Sequence, residues 1–255
     1  MVEQRKLPFV WNLLYNGIRS VGIGTKHFAA DCYQTDIYEK LVGIEQVLFE
    51  FDLSKPPSEE LVHTQENIAS LVAELSPEDR ARVAPLMHAL TQCGKITPVR
   101  IGEGGTYLFG IDGCIFQIAQ RQKLPMYGLE SPERQRDLCI GKWEKFSTAL
   151  KTAKENPPLF ALMTHPRVIK MATDKIDEVH AAYDRGDAAA VAELAKDDQD
   201  YEKFVLDRNK IQALASIPYV TSRPTAVVVG VAHVVCEPSV LDVYRMKGIT
   251  VERVS

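Results

Sequence analysis

Cysteine is scarce in this chain and follows no pattern. Five residues, Cys32, Cys93, Cys114, Cys139 and Cys236, are scattered through 255 positions without a Cys-X-X-Cys pair, which argues against a disulfide framework and against a cysteine-based zinc module. No stretch approaches the ~20 consecutive apolar residues of a membrane-spanning helix. The charged start, Met1 to Lys6, and the breaks at Pro8, Asn12, Asn16 and Gly17 leave no apolar core of a signal peptide. Positive charge is thin as well: 30 Lys and Arg stand against 34 Asp and Glu, a net charge of -4, with no basic cluster long enough to follow a phosphate backbone. These absences predict a cytoplasmic protein that engages neither nucleic acid nor a membrane, and they leave a homo-oligomer open. No Gly-X-Ser-X-Gly elbow is present, which sets a Ser-His-Asp hydrolase aside. The run Gly102-Glu103-Gly104-Gly105 has Tyr107 where a dinucleotide fingerprint needs its third glycine, so it reads as a loop instead.

What is present is ample apolar material, 45% of residues, enough for a well-buried core. Val10 to Tyr15 and Arg19 to Gly24 read as two strands joined at Asn16-Gly17, a dipeptide that favours a tight hairpin. A short helix from about Asp36 to Gly43 leads into Val47 to Asp52, a buried strand with acidic residues towards its carboxyl end. Ser58 to Leu75 and Pro77 to Thr91 carry helical apolar spacing. Further helices are predicted over Asp112 to Gln122, Ser131 to Lys154, Asp174 to Asp184 and Ala188 to Ile217, with a short strand over Pro125 to Leu129. Near the end, Thr225 to Val229 is an apolar, β-branched strand, followed by a helix over about Pro238 to Met246 and a strand over Ile249 to Val254.

Strand, Gly-X-X-His, helix and strand occur in that order at both ends of the chain, at Gly24 to His27 and at Gly230 to His233. The expected architecture is α/β, a central mixed and largely parallel sheet built from that duplicated unit, with a helical insertion over roughly 58–215 inside a single domain of 1–255. In such sheets ligands bind outside the carboxyl ends of the strands. A glycine three residues before a histidine at a strand exit lets the backbone turn and sets the imidazole at that edge.

His27 and His233 are thus the leading candidates, against the plain alternative of histidines hydrogen-bonded in loops. His63, His88 and His180 fall on helices that read as solvated, and His165 precedes Pro166 in a turn. Carboxylates complement histidine at a catalytic metal site that keeps one position for water. Glu50, within an apolar strand, is costly to bury unless it is paired with an Arg or serves as ligand or base. Glu130, after the strand ending at Leu129, makes the same case, with a helix N-terminal carboxylate as its alternative. Asp112 reads as a helix cap. Arg208 and Asn209 sit mid-helix in a charged run that reads by itself as a solvated face. Cys236, three residues after His233, has no second thiol or activating base spaced with it.

These motifs resemble the TraB, PrgY, GumN and Tiki family. Phe9-Val10-Trp11-Asn12 through Gly24-Thr25-Lys26-His27 resembles its opening hairpin and Gly-Thr-X-His. Phe49-Glu50-Phe51-Asp52 resembles its acidic second strand, and Gly128-Leu129-Glu130-Ser131 with Gln135 its Gly-Leu-Glu-Thr helix start. Arg208-Asn209 resembles its Arg-Asn pair, and Gly230-Val231-Ala232-His233 its closing motif. One departure stands out: Cys236 occupies a place where the family usually has glycine. The resemblance implies a fold similar to the erythromycin esterase and ChaN-like proteins. It also implies metal-dependent hydrolysis, since the Tiki branch is described as metal-dependent proteases. By that resemblance His27, Glu50 and His233 would be metal or catalytic residues, joined by Glu130 and Arg208. A peptide or small-molecule substrate and a divalent ion, zinc, manganese or cobalt, are expected. A metal-free esterase and a non-catalytic binder of a peptide or haem are the alternatives.

Overall fold

The computed structural model describes residues 5–26, 33–52, 59–92, 110–197 and 201–254. Contacts group the chain into two compact units, one of Met1–Lys55, Leu108–Pro132 and Val179–Ser255, the other of Pro56–Tyr107 and Glu133–Glu178. The strands are β1 (Val10–Tyr15), β2 (Ile18–Thr25), β3 (Gln46–Phe49), β4 (Met126–Gly128), β5 (Thr225–Gly230) and β6 (Thr250–Arg253). The helices begin with α1 (Gln34–Lys40), α2 (Glu59–Ala73), α3 (Pro77–Gln92), α4 (Gly110–Arg121), α5 (Pro132–Glu155) and α6 (Pro157–Met163). They continue with α7 (Pro166–Asp184), α8 (Ala188–Lys196), α9 (Asp207–Val220), α10 (Val231–Val235) and α11 (Val240–Met246). Among the described residues no helix is long and apolar enough to cross a membrane.

All six strands form one sheet, in the order β4-β3-β5-β2-β1-β6. The pairs β2 with β5, β5 with β3 and β3 with β4 are parallel, while β1 runs antiparallel to both neighbours. The mixed, mostly parallel sheet is the one the sequence pattern predicts. Asn16 and Gly17 take φ of 46° and 83°, the two positive values that a two-residue turn matching strand twist requires. β5 lies at the centre with Ala226 to Val229 fully buried, which explains an apolar run without alternation. Its partners on either side are the two strands whose carboxyl ends carry the candidate residues: Thr25 faces Gly230, and Phe49 faces Val228.

The helical unit has its own small core of Leu75, Val83, Leu150, Ala153 and Phe160. Between 58 and 215 the described residues are helical apart from β4 and the joins between helices. The stretch from Ala188 to Ile217 is not one helix as its periodicity suggests. α8 ends at Lys196, and a separate π-helical turn, Glu202–Leu206, runs directly into α9. The acidic strand is also shorter than expected, ending at Phe49, so Glu50 stands at the strand exit rather than within it.

Candidate functional site

Three parallel strands end side by side, and each hands a polar residue to the same edge. Beyond β3 the backbone pairing with the chain after β4 continues: Leu129 N donates to Phe49 O at 2.8 Å and Glu130 N to Glu50 O at 2.9 Å. That continuation carries Glu50 and Glu130 forward in register. Gly128 has a packing reason here, because a Cβ on it would come within 2.5 Å of Asp52 N.

A single cation joins the two acids. Arg208, in the first turn of α9, donates from Nε to Glu130 Oε1 and from Nη2 to Glu50 Oε2, both at 2.6 Å, and from Nη1 to Phe204 O at 3.2 Å. The last acceptor belongs to the π-helical turn, a local irregularity that is often found at functional sites. All three charged side chains are enclosed, at 11% relative exposure for Arg208, 12% for Glu50 and 0% for Glu130. Burial works against the guanidinium charge, but the attraction of Glu50 and Glu130 outweighs it and holds the arginine above its ordinary value. The solvated face read for Arg208 and Asn209 is therefore wrong, and the physical reason lies in the helix. α9 turns Asn209, Gln212 and Ser216 inward while Ile211 and Leu214 stay exposed, an inversion of the usual amphipathic pattern.

His233 lies on α10, directly after β5, and is buried. Its Nδ1 is 2.7 Å from Asn209 Oδ1, and its Nε2 is 3.6 Å from Glu50 Oε1. The glycine of this Gly-X-X-His element does not serve a positive-φ turn, since Gly230 has φ of -55°. Gly230 N donates to Glu50 Oε1 at 2.5 Å, and a Cβ there would meet that oxygen at 3.0 Å. Close approach, not turning, is what this glycine supplies.

His27 lies outside the described residues, as does the loop Gly102 to Gly105. Its neighbours are defined. Thr25 Oγ1 donates to Asp112 Oδ1 at 2.7 Å, so the carboxylate read as a cap bonds a residue of the motif. Lys26 is buried, and its Nζ is hydrogen-bonded to Asp184 Oδ1, which also accepts from Tyr33 OH at 2.7 Å. The Tyr183 ring lies 4.9 Å from Lys26 Nζ, a cation-π contact. Burial alone would raise the Asp184 carboxyl, but hydrogen bonds from Lys26 and Tyr33, with the charges of Lys26 and Arg5, hold it below the ordinary range. Of the other described histidines, His63 is exposed, His165 Nδ1 accepts from Arg167 N at 3.2 Å as a cap of α7, and His180 on α7 is half-buried instead of solvated.

Sequence reasoning missed Gln212, whose Nε2 donates to Glu130 Oε1 at 2.7 Å. The spacing Arg208, Gln212, Ser216, four residues apart on one helix face, is the signal that could have found it. Cys236 is buried, and burial pushes its thiol up despite a hydrogen bond with Tyr201. The Tyr201 hydroxyl is in turn pushed up to about 12, by burial first and by Cys236 second. A thiol raised in this way is a poor nucleophile. Among the described residues no group of three His, Cys, Asp or Glu is placed to hold a metal ion, while Glu50 and His233 lie together at this edge.

A model of the TraB/PrgY/gumN family matches residues 9–253 of this chain. No curated protein and no solved structure matches it.

Proposed function

Because the chain belongs to the TraB/PrgY/gumN family, we propose that it is a metal-dependent hydrolase acting on a peptide. The observation that carries this reading is the set of side chains at the carboxyl edge of the sheet: two enclosed carboxylates clamped by one arginine, with a buried imidazole beside Glu50. Such a set is expensive to keep folded, and strand exits in this architecture are where ligands bind.

The donor chemistry suits a divalent ion in part. Glu50 Oε1 and His233 Nε2 stand 3.6 Å apart, close to the spacing of two ligands that each lie about 2.0–2.2 Å from one ion. Catalytic zinc takes three protein ligands, and His27, the third expected from the sequence, lies outside the described residues. The ion would be held by Glu50, His233 and His27. When bound, it polarises a carbonyl and lowers the pKa of a water.

The protein groups divide the remaining work. Where His27 and His233 hold the ion without it, Glu50, the more accessible acid, would instead accept the proton of the attacking water. Arg208 has three of its five N–H donors committed and would offer the others to the developing oxyanion. Glu130, fully enclosed and bonded to Gln212, holds the guanidinium in place.

The test is elemental analysis of protein purified without added metal, joined to turnover on a peptide library. Bound metal, with activity lost on chelation and restored by zinc or manganese, supports the proposal. Turnover in metal-free protein moves the reading to an esterase-like hydrolase in which His233 activates water beside Glu50. Tight binding of a peptide or of haem without turnover leaves a binding protein.

A further inference from the structure

The side chain of Asn209 is fixed from one end. Its Nδ2 donates to two backbone carbonyls, Cys236 O at 3.1 Å and Pro238 O at 2.8 Å. Exchanging its oxygen and nitrogen would set an acceptor against two acceptors, so the amide has one acceptable orientation. Its Oδ1 then faces His233 Nδ1 at 2.7 Å. An amide oxygen can only accept, and the imidazole must therefore carry a proton on Nδ1. Neutral His233 is left with its lone pair on Nε2, the nitrogen that faces Glu50 Oε1 at 3.6 Å.

We propose that Asn209 is the positioning residue of this site, and that it holds His233 in the Nδ1–H form so that Nε2 offers its lone pair beside Glu50. The inference rests on the reading of His233 as a working group in its account of purpose, but its geometry stands apart from that reading. In that form the lone pair of Nε2 lies on the side of the Glu50 carboxylate. A proton shared with Glu50 or a metal ion would suit that arrangement. Both occupants suit a histidine oriented in this manner, because histidines that bind metals donate their other N–H to an oxygen that fixes the tautomer, and a general base needs its lone pair aimed at the proton it takes. The opposite tautomer would donate from Nε2 to Glu50 and would have no lone pair for either task.

The backbone explains why the amide can do this. Gly230, His233 and Cys236 belong to one short stretch that begins at the last residue of β5, and Asn209 reaches across from α9 to the imidazole at the middle of the stretch and the carbonyl at its end. The same side chain fixes the ring and anchors the segment that carries it.

Nitrogen-15 NMR of the folded protein with labelled histidine, as purified and after chelation, reads the tautomer directly. The expected result is a pyrrole-type Nδ1 of His233 in both samples, whether Nε2 is bare, protonated or bound to metal. A pyridine-type Nδ1 would overturn the proposal, and it would do so without touching the hydrolase reading, which stands or falls on turnover. In Asn209→Ala the Nδ1 signal should move towards the pyridine type as Nε2 gains a proton to give to Glu50. An unchanged Nδ1 in that variant, once folded, also overturns it. If the alanine variant does not fold, the wild-type spectra before and after chelation carry the test.

Discussion

In the sheet unit, Lys26, Asp36, Glu130, Asn209, Gln212 and His233 are enclosed with the apolar core, whereas in the helical unit Thr164 is the buried polar residue among those described. The Thr164 hydroxyl returns to Phe160 O in its own helix at 2.8 Å, and the charges of that unit pair at the surface, as Lys170 does with Asp174. Apolar packing alone tolerates substitution if volume is kept. A buried polar group costs free energy unless each hydrogen-bonding atom finds its partner, so the sheet unit accepts fewer arrangements of its interior. The contrast separates a region whose residues are constrained by charge and hydrogen bonding from one constrained mainly by shape.

Removing the shared cation should produce the largest effect. Arg208→Leu leaves Glu50 and Glu130 enclosed without their common partner, and stability should fall by about 3–5 kcal/mol, read as a lower urea midpoint, with turnover lost. An unchanged midpoint would mean the two acids draw their countercharge from another source, and the contrast between the units would lose its basis. Glu50→Gln comes next. Arg208 keeps Glu130, so the fold should hold, while the proposed hydrolysis should fall by about 10²–10⁴, the usual contribution of a general base. Full activity would remove Glu50 from the chemistry.

On the other side of the comparison, Ile68→Val in α2 takes one methylene from a buried position of the helical unit. The expected loss is about 0.5–1.5 kcal/mol, with kcat and KM unchanged. A large drop in kcat at full occupancy of the folded state would show that the helical unit does more than pack. The smallest effect concerns acid. Asp184 is held below its ordinary value in the folded chain, so its contribution is present above the unfolded value of ~3.9 and is lost as pH falls through the depressed folded one. Asp184→Asn should thus melt lower than wild type at neutral pH, and the gap should close in strong acid. A gap that persists there would point to lost packing instead of charge.

Much of the fold was readable because its signals are local. Asn16-Gly17 announces its turn by the φ values it must adopt, and Val227 to Val229 could only be a strand covered on both faces. The frame around the two Gly-X-X-His elements places β2 and β5 together, and they pair in parallel. That pairing does not by itself make the halves copies: β3 lies against β5, while β6 lies against β1. The site was legible in its acids and in His233, whose residue types are unusual after apolar strands. Arg208, Asn209 and Gln212 could not be placed from local pattern, because a helix that buries its polar stripe looks like a solvated one until its neighbours are known. Lys26 was passed over for the same reason, since its partner Asp184 arrives from α7.

The position of β5 sets the order in which the sheet can be completed. Thr225 N donates to Ser20 Oγ across 205 residues, and β5 is the strand that joins β2 to β3. During synthesis the hairpin of β1 and β2 leaves the ribosome early, then β3 and β4, yet none of these pieces can be stitched into one sheet until the chain beyond residue 225 has emerged. Contacts of such long separation form slowly, and strand edges left waiting invite pairing with other chains. The same late strand delivers Gly230 and His233, so no nascent chain holds an assembled site before β5 is in place.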